Sequence, residues 1–366
     1  MVPGVTEGPE VGGEPILRAR GLVFSRGGQT ILNGVDLEAT AGARVAVVGR
    51  SGAGKTTLLR LLAGLERPEK GEIQLGCGTR RVRVGLVFQD LALFPHMRVW
   101  ANVAFSLLVK GTDRRTARRR AEAALQVAGM GHLGSRVPSS LSGGERQRVA
   151  LLRTLLSEPD VVLLDEPFAN LDAHLIQHFS AWLGEQQRRT GVALVMVTHD
   201  VRFAMAWAEH MILLDEGRSV QAGSPAEIYQ QPVSEFAASF TGACTLLDAT
   251  VVDPDLREMV VPAVAPQVSF PVEYDDVTNR VRSGDNRRIV VRPQDVGVRR
   301  RERREGDVIG VVQSVSFMSG VTTCTVRLPS GAALTGIHAE PSAPPTPSRS
   351  AEAVVIWPPR RAVALP

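Results

Sequence analysis

The 366-residue chain is 44% hydrophobic and 22% charged, carries a net charge of +4 and contains three cysteines. That length and balance suit two domains with full cores and exclude disordered, fibrous and collagen-like classes. Its basic residues are dispersed apart from Arg114–Arg120 and Arg299–Arg304, and no aromatic-interleaved patch or reading motif accompanies them, which argues against a nucleic-acid partner.

Residues 1–15 hold three glutamates, no early basic residue and no apolar core, so a disordered lead is expected rather than a secretory signal. Cys77, Cys244 and Cys324 are scattered without metal-ligand spacing, which fits a reducing cytosol. Ile16–Glu38 alternates across a GGQT turn and predicts antiparallel strands. Arg44–Val48 predicts a buried strand, and Gly49-Arg50-Ser51-Gly52-Ala53-Gly54-Lys55-Thr56-Thr57 follows it at the start of a helix expected to run from Thr56 to Leu65. This is G-x-x-x-x-G-K-[ST] in the context of a phosphate-binding loop. Its glycines let backbone N–H groups curl around phosphate oxygens, Lys55 reaches the terminal phosphates, and the Thr56 hydroxyl suits Mg²⁺.

Val82–Phe88 predicts a further strand ending at Gln89, and the apolar spacing from Val99 to Leu156 predicts two or three helices. Arg114–Glu122 reads as the solvated face of one of them. In LSGGERQRVALLRTLLSEPDVVLLDEPFANLD, residues 141–172, Ser142, Gly143, Gly144 and Glu145 open a helix where backbone N–H groups favour an anion. Val161–Leu164 is a buried strand that delivers Asp165 and Glu166 to the ligand-binding edge of an open α/β sheet. A long helix to about Arg189 follows Asp172, then a strand at Val192–Val197 ending in Thr198-His199-Asp200, then a hairpin of Met211–Asp215 and Arg218–Gln221. Ser224-Pro225-Ala226-Glu227 opens a helix, and that helix and the next end near Phe240. From Thr241 the texture becomes β-rich, with strands at Arg288–Val298, Asp307–Phe317, Val321–Leu328 and Ala353–Trp357, so a small barrel or sandwich is expected; residues 339–350 read as a loop. No apolar run approaches the ~20 residues needed to cross a bilayer as a helix.

The phosphate loop, the LSGGERQR segment, VVLLDEP, VFQD and VTHD in this order resemble the ATP-binding subunits of binding-protein-dependent ABC importers, and IVVRPQDVGV with the strands after it resembles their TOBE domain. The resemblance implies an α/β fold: a P-loop NTPase cassette with a mixed sheet over residues 16–242, a helical subdomain at about 91–158, and a small all-β TOBE-like domain over 243–366. It implies ATP and Mg²⁺ as cofactors. Lys55, Thr56 and the loop backbone would bind phosphate and metal, Asp165 would hold the metal, Glu166 would polarise the attacking water, and Gln89 and His199 would complete the γ-phosphate shell, with Gln89 also near the metal. Ser142, Gly143, Gly144 and Glu145 would act across a nucleotide-sandwich homodimer, and Asp172 would connect its two sites.

The implied partners are two permease subunits and, indirectly, an extracytoplasmic solute-binding protein, with the chain peripheral on the cytoplasmic side of the membrane. Where the family usually stacks adenine on an aromatic residue this chain has Arg26, so Phe24 or the Arg26 guanidinium is the candidate base contact. Ferric iron is the first expected solute, ahead of polyamine, sulfate or thiosulfate, phosphonate and sugar. The alternative is a soluble ABC ATPase of DNA repair or translation, disfavoured by the single cassette and the absence of a heptad run between Lys55 and Ser142.

Overall fold

The structure, a computed structural model, describes residues 14–76, 81–168, 173–273, 282–299, 308–318, 320–338, 352–357 and 359–365. The expected lead (apart from its last two residues), Cys77, Asp172 and the 339–350 loop lie outside the described residues. The chain divides into two compact units, one ending at Pro225 and the other beginning at Ala226.

In the first unit, β1 (Pro15–Arg26) and β2 (Gln29–Thr40) pair antiparallel, as their alternation predicts. The chain continues through β3 (Arg44–Gly49), α1 (Lys55–Leu62), β4 (Lys70–Leu75) and β5 (Val84–Val87). Next come α2 (Val99–Val103), α3 (Phe105–Val109), α4 (Arg114–Val127) and α5 (Gly143–Leu155). It closes with β6 (Val161–Asp165), α6 (Ala173–Thr190), β7 (Ala193–Thr198), α7 (Val201–Trp207), β8 (His210–Asp215) and β9 (Arg218–Gly223). The order β2-β1-β4 makes a small sheet, and β5-β6-β7-β3-β8-β9 makes the main one, parallel except for β9.

Every residue of β6 and β7 is buried, the pattern of strands covered on both faces. The carboxyl ends of β3, β6 and β7 stand side by side, so Gly49, Asp165 and Thr198 finish at one edge.

Two expectations are corrected in this unit. Helix α1 stops at Leu62 rather than Leu65, because Gly64 at φ +70° lets Leu65 N–H reach Arg60 O and Gly64 N–H reach Leu61 O, a Schellman closure. The 99–156 region holds four α-helices, not two or three. Buried Asn102 binds the backbone of Phe94 and Met97 through its side chain, and the helix breaks two residues later at Ala104.

The second unit contains α8 (Pro225–Gln230), counted from Ala226, and α9 (Glu235–Thr241). Its strands are β10 (Thr245–Asp253), β11 (Glu258–Val260), β12 (Ser269–Pro271), β13 (Asn286–Val291), β14 (Gly297–Arg299), β15 (Val308–Met318), β16 (Val321–Arg327), β17 (Ala333–His338), β18 (Glu352–Ile356) and β19 (Val363–Ala364). They form a five-stranded sheet, β12-β11-β10-β13-β19, and a closed barrel, β14-β17-β16-β15-β18. The strand expected at Arg288–Val298 is two strands in two sheets. Pro293 has no N–H to donate and opens a 3₁₀ turn, Pro293–Asp295, between them. Leu247, Ile289 and Val291 of the sheet share a core with Val298, Val326 and Val355 of the barrel.

Candidate functional site

The phosphate loop runs from the buried end of β3 into α1. Gly54 stands at φ +98°, and a Cβ there would meet Leu32 Cδ2 at 2.6 Å and Ile31 O at 2.9 Å, so no other residue type fits. Gly49 likewise abuts the Leu214 carbonyl of β8. The bond from Leu58 N–H to Gly54 O is the first to close a turn of α1, which leaves the amides before it without a place in the helix ladder. Lys55, 8% exposed, folds back and donates from Nζ to Gly49 O (2.8 Å) and Arg50 O (2.9 Å). Burial lowers its pKa, and the Glu166 and Asp165 charges oppose that shift.

From β6, Asp165 is buried and accepts from Thr56 Oγ1 at 3.2 Å. Burial raises its pKa, the Thr56 bond opposes the rise, and the neighbouring Glu166 charge adds to it. Glu166 turns at φ +46°, a costly conformation for a residue with a side chain, and its N–H is bound to Val197 O at 3.0 Å. Its Oε2 lies 2.9 Å from His199 Nδ1 and accepts from Thr198 Oγ1 at 3.2 Å. The Thr198 hydroxyl in turn accepts from Asp200 N–H at 3.0 Å. Thr198 is a site residue that the sequence reading passed over; its signal was its position at the end of a wholly apolar strand, one residue before His199.

Gln89 is exposed just beyond β5, whose Val87 pairs with Leu164. The turn after it places Leu91 at φ +62° and Ala92 at φ +42°, and Arg153 of α5 donates to both of their carbonyls, at 2.9 Å and 2.6 Å. Ser142 and Glu145 bind each other: Ser142 N–H donates to Glu145 Oε2 (2.8 Å) and Glu145 N–H to Ser142 Oγ (3.3 Å), a capping box on α5 with Gly143 and Gly144 in its first turn. Arg26 does not stand free. It pairs with Glu66 at 2.6 Å and lies 5.7 Å from the Phe24 ring centre, while Ser25 is bound twice to Glu69.

The structure thus brings Lys55, Thr56, Asp165, Glu166 and His199 to one sheet edge and sets Ser142 and Glu145 in a cap of their own. Among the described residues no cluster of three or more His, Cys, Asp or Glu is placed to hold a metal. Thr56 and Asp165 offer two hard oxygens, a donor set that suits an ion completing its shell with water and substrate phosphate.

A strand-to-helix phosphate loop facing a paired acid and histidine defines a nucleoside-triphosphate-hydrolysing class of protein. The ABC transporter family matches residues 32–169. The spermidine/putrescine import ATP-binding protein PotA of Vibrio cholerae is 32% identical over 326 residues, 87% of this chain and 85% of that one. The Fe(3+) ions import ATP-binding protein FbpC of Brucella melitensis is 42% identical over 241 residues, 64% and 68% of the two chains. Among solved structures, cbiO1 from Clostridium perfringens superposes with a TM-score of 0.54 at 29% identity, covering 59% of this chain and 91% of that one. A dimeric ABC transporter cassette gives 0.51 at 28%, covering 57% and 98%. The chain belongs to the ABC transporter family, and it is an ATPase.

Proposed function

We propose that the chain is the ATP-hydrolysing subunit of a solute importer, working as a homodimer beneath a separate permease. The observation that carries the catalytic reading is the edge where Lys55, the Thr56–Asp165 contact and the Glu166–His199 pair converge. The Lys55 ammonium, now on the loop carbonyls, would exchange them for phosphate oxygens, with the loop amides completing the cradle. Thr56, Asp165 and Gln89 would hold Mg²⁺, which supplies charge neutralisation on the phosphates when bound. Glu166 would orient and polarise the attacking water, and His199, held by Glu166, would donate to the γ-phosphate. Ser142, with Gly143, Gly144 and Glu145, would close over the ATP of the opposite copy, and Asp172 would link the two sites. The dimeric ABC transporter cassette among the similar solved structures supports that arrangement.

Importer function is supported by the polyamine and ferric-iron import relatives, and ferric iron is the first solute proposed. The import ATP-binding relatives also support assigning the membrane crossing to the permease, with this chain peripheral on its cytoplasmic side; among the described residues no helix is long and apolar enough to cross a membrane. The test is uptake of labelled ferric iron, spermidine, sulfate, a phosphonate and maltose in a strain lacking the chain, complemented by wild type or Lys55→Ala. Loss of one solute, restored by wild type alone, is expected; unchanged uptake of every solute would overturn the importer reading.

A further inference from the structure

Glu166 and His199 leave neighbouring strands on separate loops, and their 2.9 Å contact requires those loops to keep a fixed separation. What spans them on the interior side is a pair of aromatic rings. Phe168 lies two residues beyond Glu166 and Phe203 four beyond His199, and their ring centres are 4.2 Å apart at 55°. Phe168 is buried and also meets Phe179 of α6 edge-on at 5.5 Å and 76°. Phe203 is half-buried and runs on to Trp207 at 6.3 Å.

The same apolar cluster takes Leu91 and Leu93 from the segment after Gln89, and Ala150 and Leu151 from α5 behind the Ser142 cap. The segments that carry Gln89, Glu166 and His199 and the helix behind the Ser142 cap are therefore anchored in one packed cluster, while the phosphate loop packs through Ala53 and Leu58 in another, and the Phe168–Phe203 contact joins the two loops whose polar groups touch. A glutamate at φ +46° persists where its surroundings over-determine it, and tightly packed interiors transmit small displacements rather than absorbing them.

We propose that Phe168 and Phe203 are positioning residues for hydrolysis, an aromatic clamp that holds the Glu166 and His199 loops at hydrogen-bonding separation. The proposal rests on the catalytic reading of that pair given above. A clamp acting through His199 predicts that loosening it slows the chemical step without weakening nucleotide binding. Ordinary core packing predicts lost stability with unchanged turnover of the folded fraction.

The experiment compares steady-state ATPase kinetics of the full chain as wild type, Phe203→Ala, Phe203→Tyr, His199→Ala and the Phe203→Ala/His199→Ala double variant. Phe203→Ala is expected to lower kcat roughly ten- to hundredfold with KM within about twofold, since displacements near 1 Å have that effect on positioned groups. Phe203→Tyr, which keeps the ring, should restore kcat. The double variant should fall within about twofold of His199→Ala alone, because residues acting as one unit are non-additive. Losses that multiply in the double variant, or a Phe203→Ala kcat equal to wild type per folded molecule, would overturn the clamp. Full activity in His199→Ala would overturn the catalytic reading, and the clamp with it. Phe203→Leu keeps apolar volume without the ring and carries the test if the alanine variant unfolds. A kcat loss in it that tyrosine does not share supports the clamp, and wild-type kcat refutes it.

Discussion

The guanidinium of Arg292 lies 4.1 Å from the centre of the Tyr229 ring and donates to the carbonyls of Tyr229, Ala238 and Gly242. It follows β13, whose alternation explains the contact. Ile289 and Val291 face the β core, whereas Arg288 pairs with Glu235, Val290 packs on Ala238, and Arg292 reaches both helices. Helices α8 and α9 thus pack against the side of β13 that faces away from the β core. Arg292→Ala would strand several buried carbonyls and should destabilise the second unit by about 2–4 kcal/mol. Denaturant unfolding reads this, and Arg292→Lys should recover little, since an ammonium lacks the planar fork. A fragment from 226 should unfold cooperatively, and one from 243 should not.

Glu166→Gln keeps the side chain's shape and removes its charge. Turnover should fall at least about a hundredfold while ATP binding persists. Equilibrium binding of a fluorescent ATP analogue beside a phosphate-release assay checks both halves, and near-normal phosphate release would remove Glu166 from its role.

Arg153 ties the helix behind the Ser142 cap to the two left-handed residues after Gln89. Burial lowers its pKa, yet a guanidinium stays charged throughout the accessible range. Arg153→Ala should raise amide exchange across residues 88–93 and lower kcat about tenfold, as misplaced catalytic loops do. Lysine, with a single point charge, should fail to hold both carbonyls; rescue by lysine would show that charge alone suffices.

The capping box on α5 carries a pH signature. Its backbone bond from Ser142 holds the Glu145 carboxyl below its ordinary 4.5. A depressed carboxylate contributes stability above its unfolded value and loses it as pH falls through the folded one. Wild type should therefore lose helix stability below about pH 4.5, and Glu145→Gln should flatten that acid limb in melting curves. Ser142→Ala should cost about 1 kcal/mol at neutral pH.

The phosphate loop was legible because its signal is local: glycines at fixed spacing, one of them at φ +98°, and a lysine six residues beyond the Gly49 carbonyl that it binds. The Glu166–His199 contact was not, since it depends on β6 lying beside β7, a matter of strand order rather than of either motif. The break at Ala104 was hidden because alanine favours helix, and the signal lay in Asn102 reaching back to Phe94. In the second unit, β11, β12 and β19 have three residues or fewer, too short to show a period. β13 and β14 read as one strand until Pro293 is given its weight.

Strand β3, which carries the phosphate loop, is flanked in the sheet by β7 and β8: Arg44 pairs with Leu194 and Val45 with His210. On the ribosome those neighbours emerge about 150 residues later, roughly 8–30 s at ordinary elongation rates. Until then Val45–Val48 has no sheet to enter and Gly49 has no carbonyl to rest against. The earliest-made motif of the cassette is thus among the last to acquire its shape, and a nascent chain interrupted before His210 would expose an apolar strand to chaperones rather than a nucleotide site to ATP.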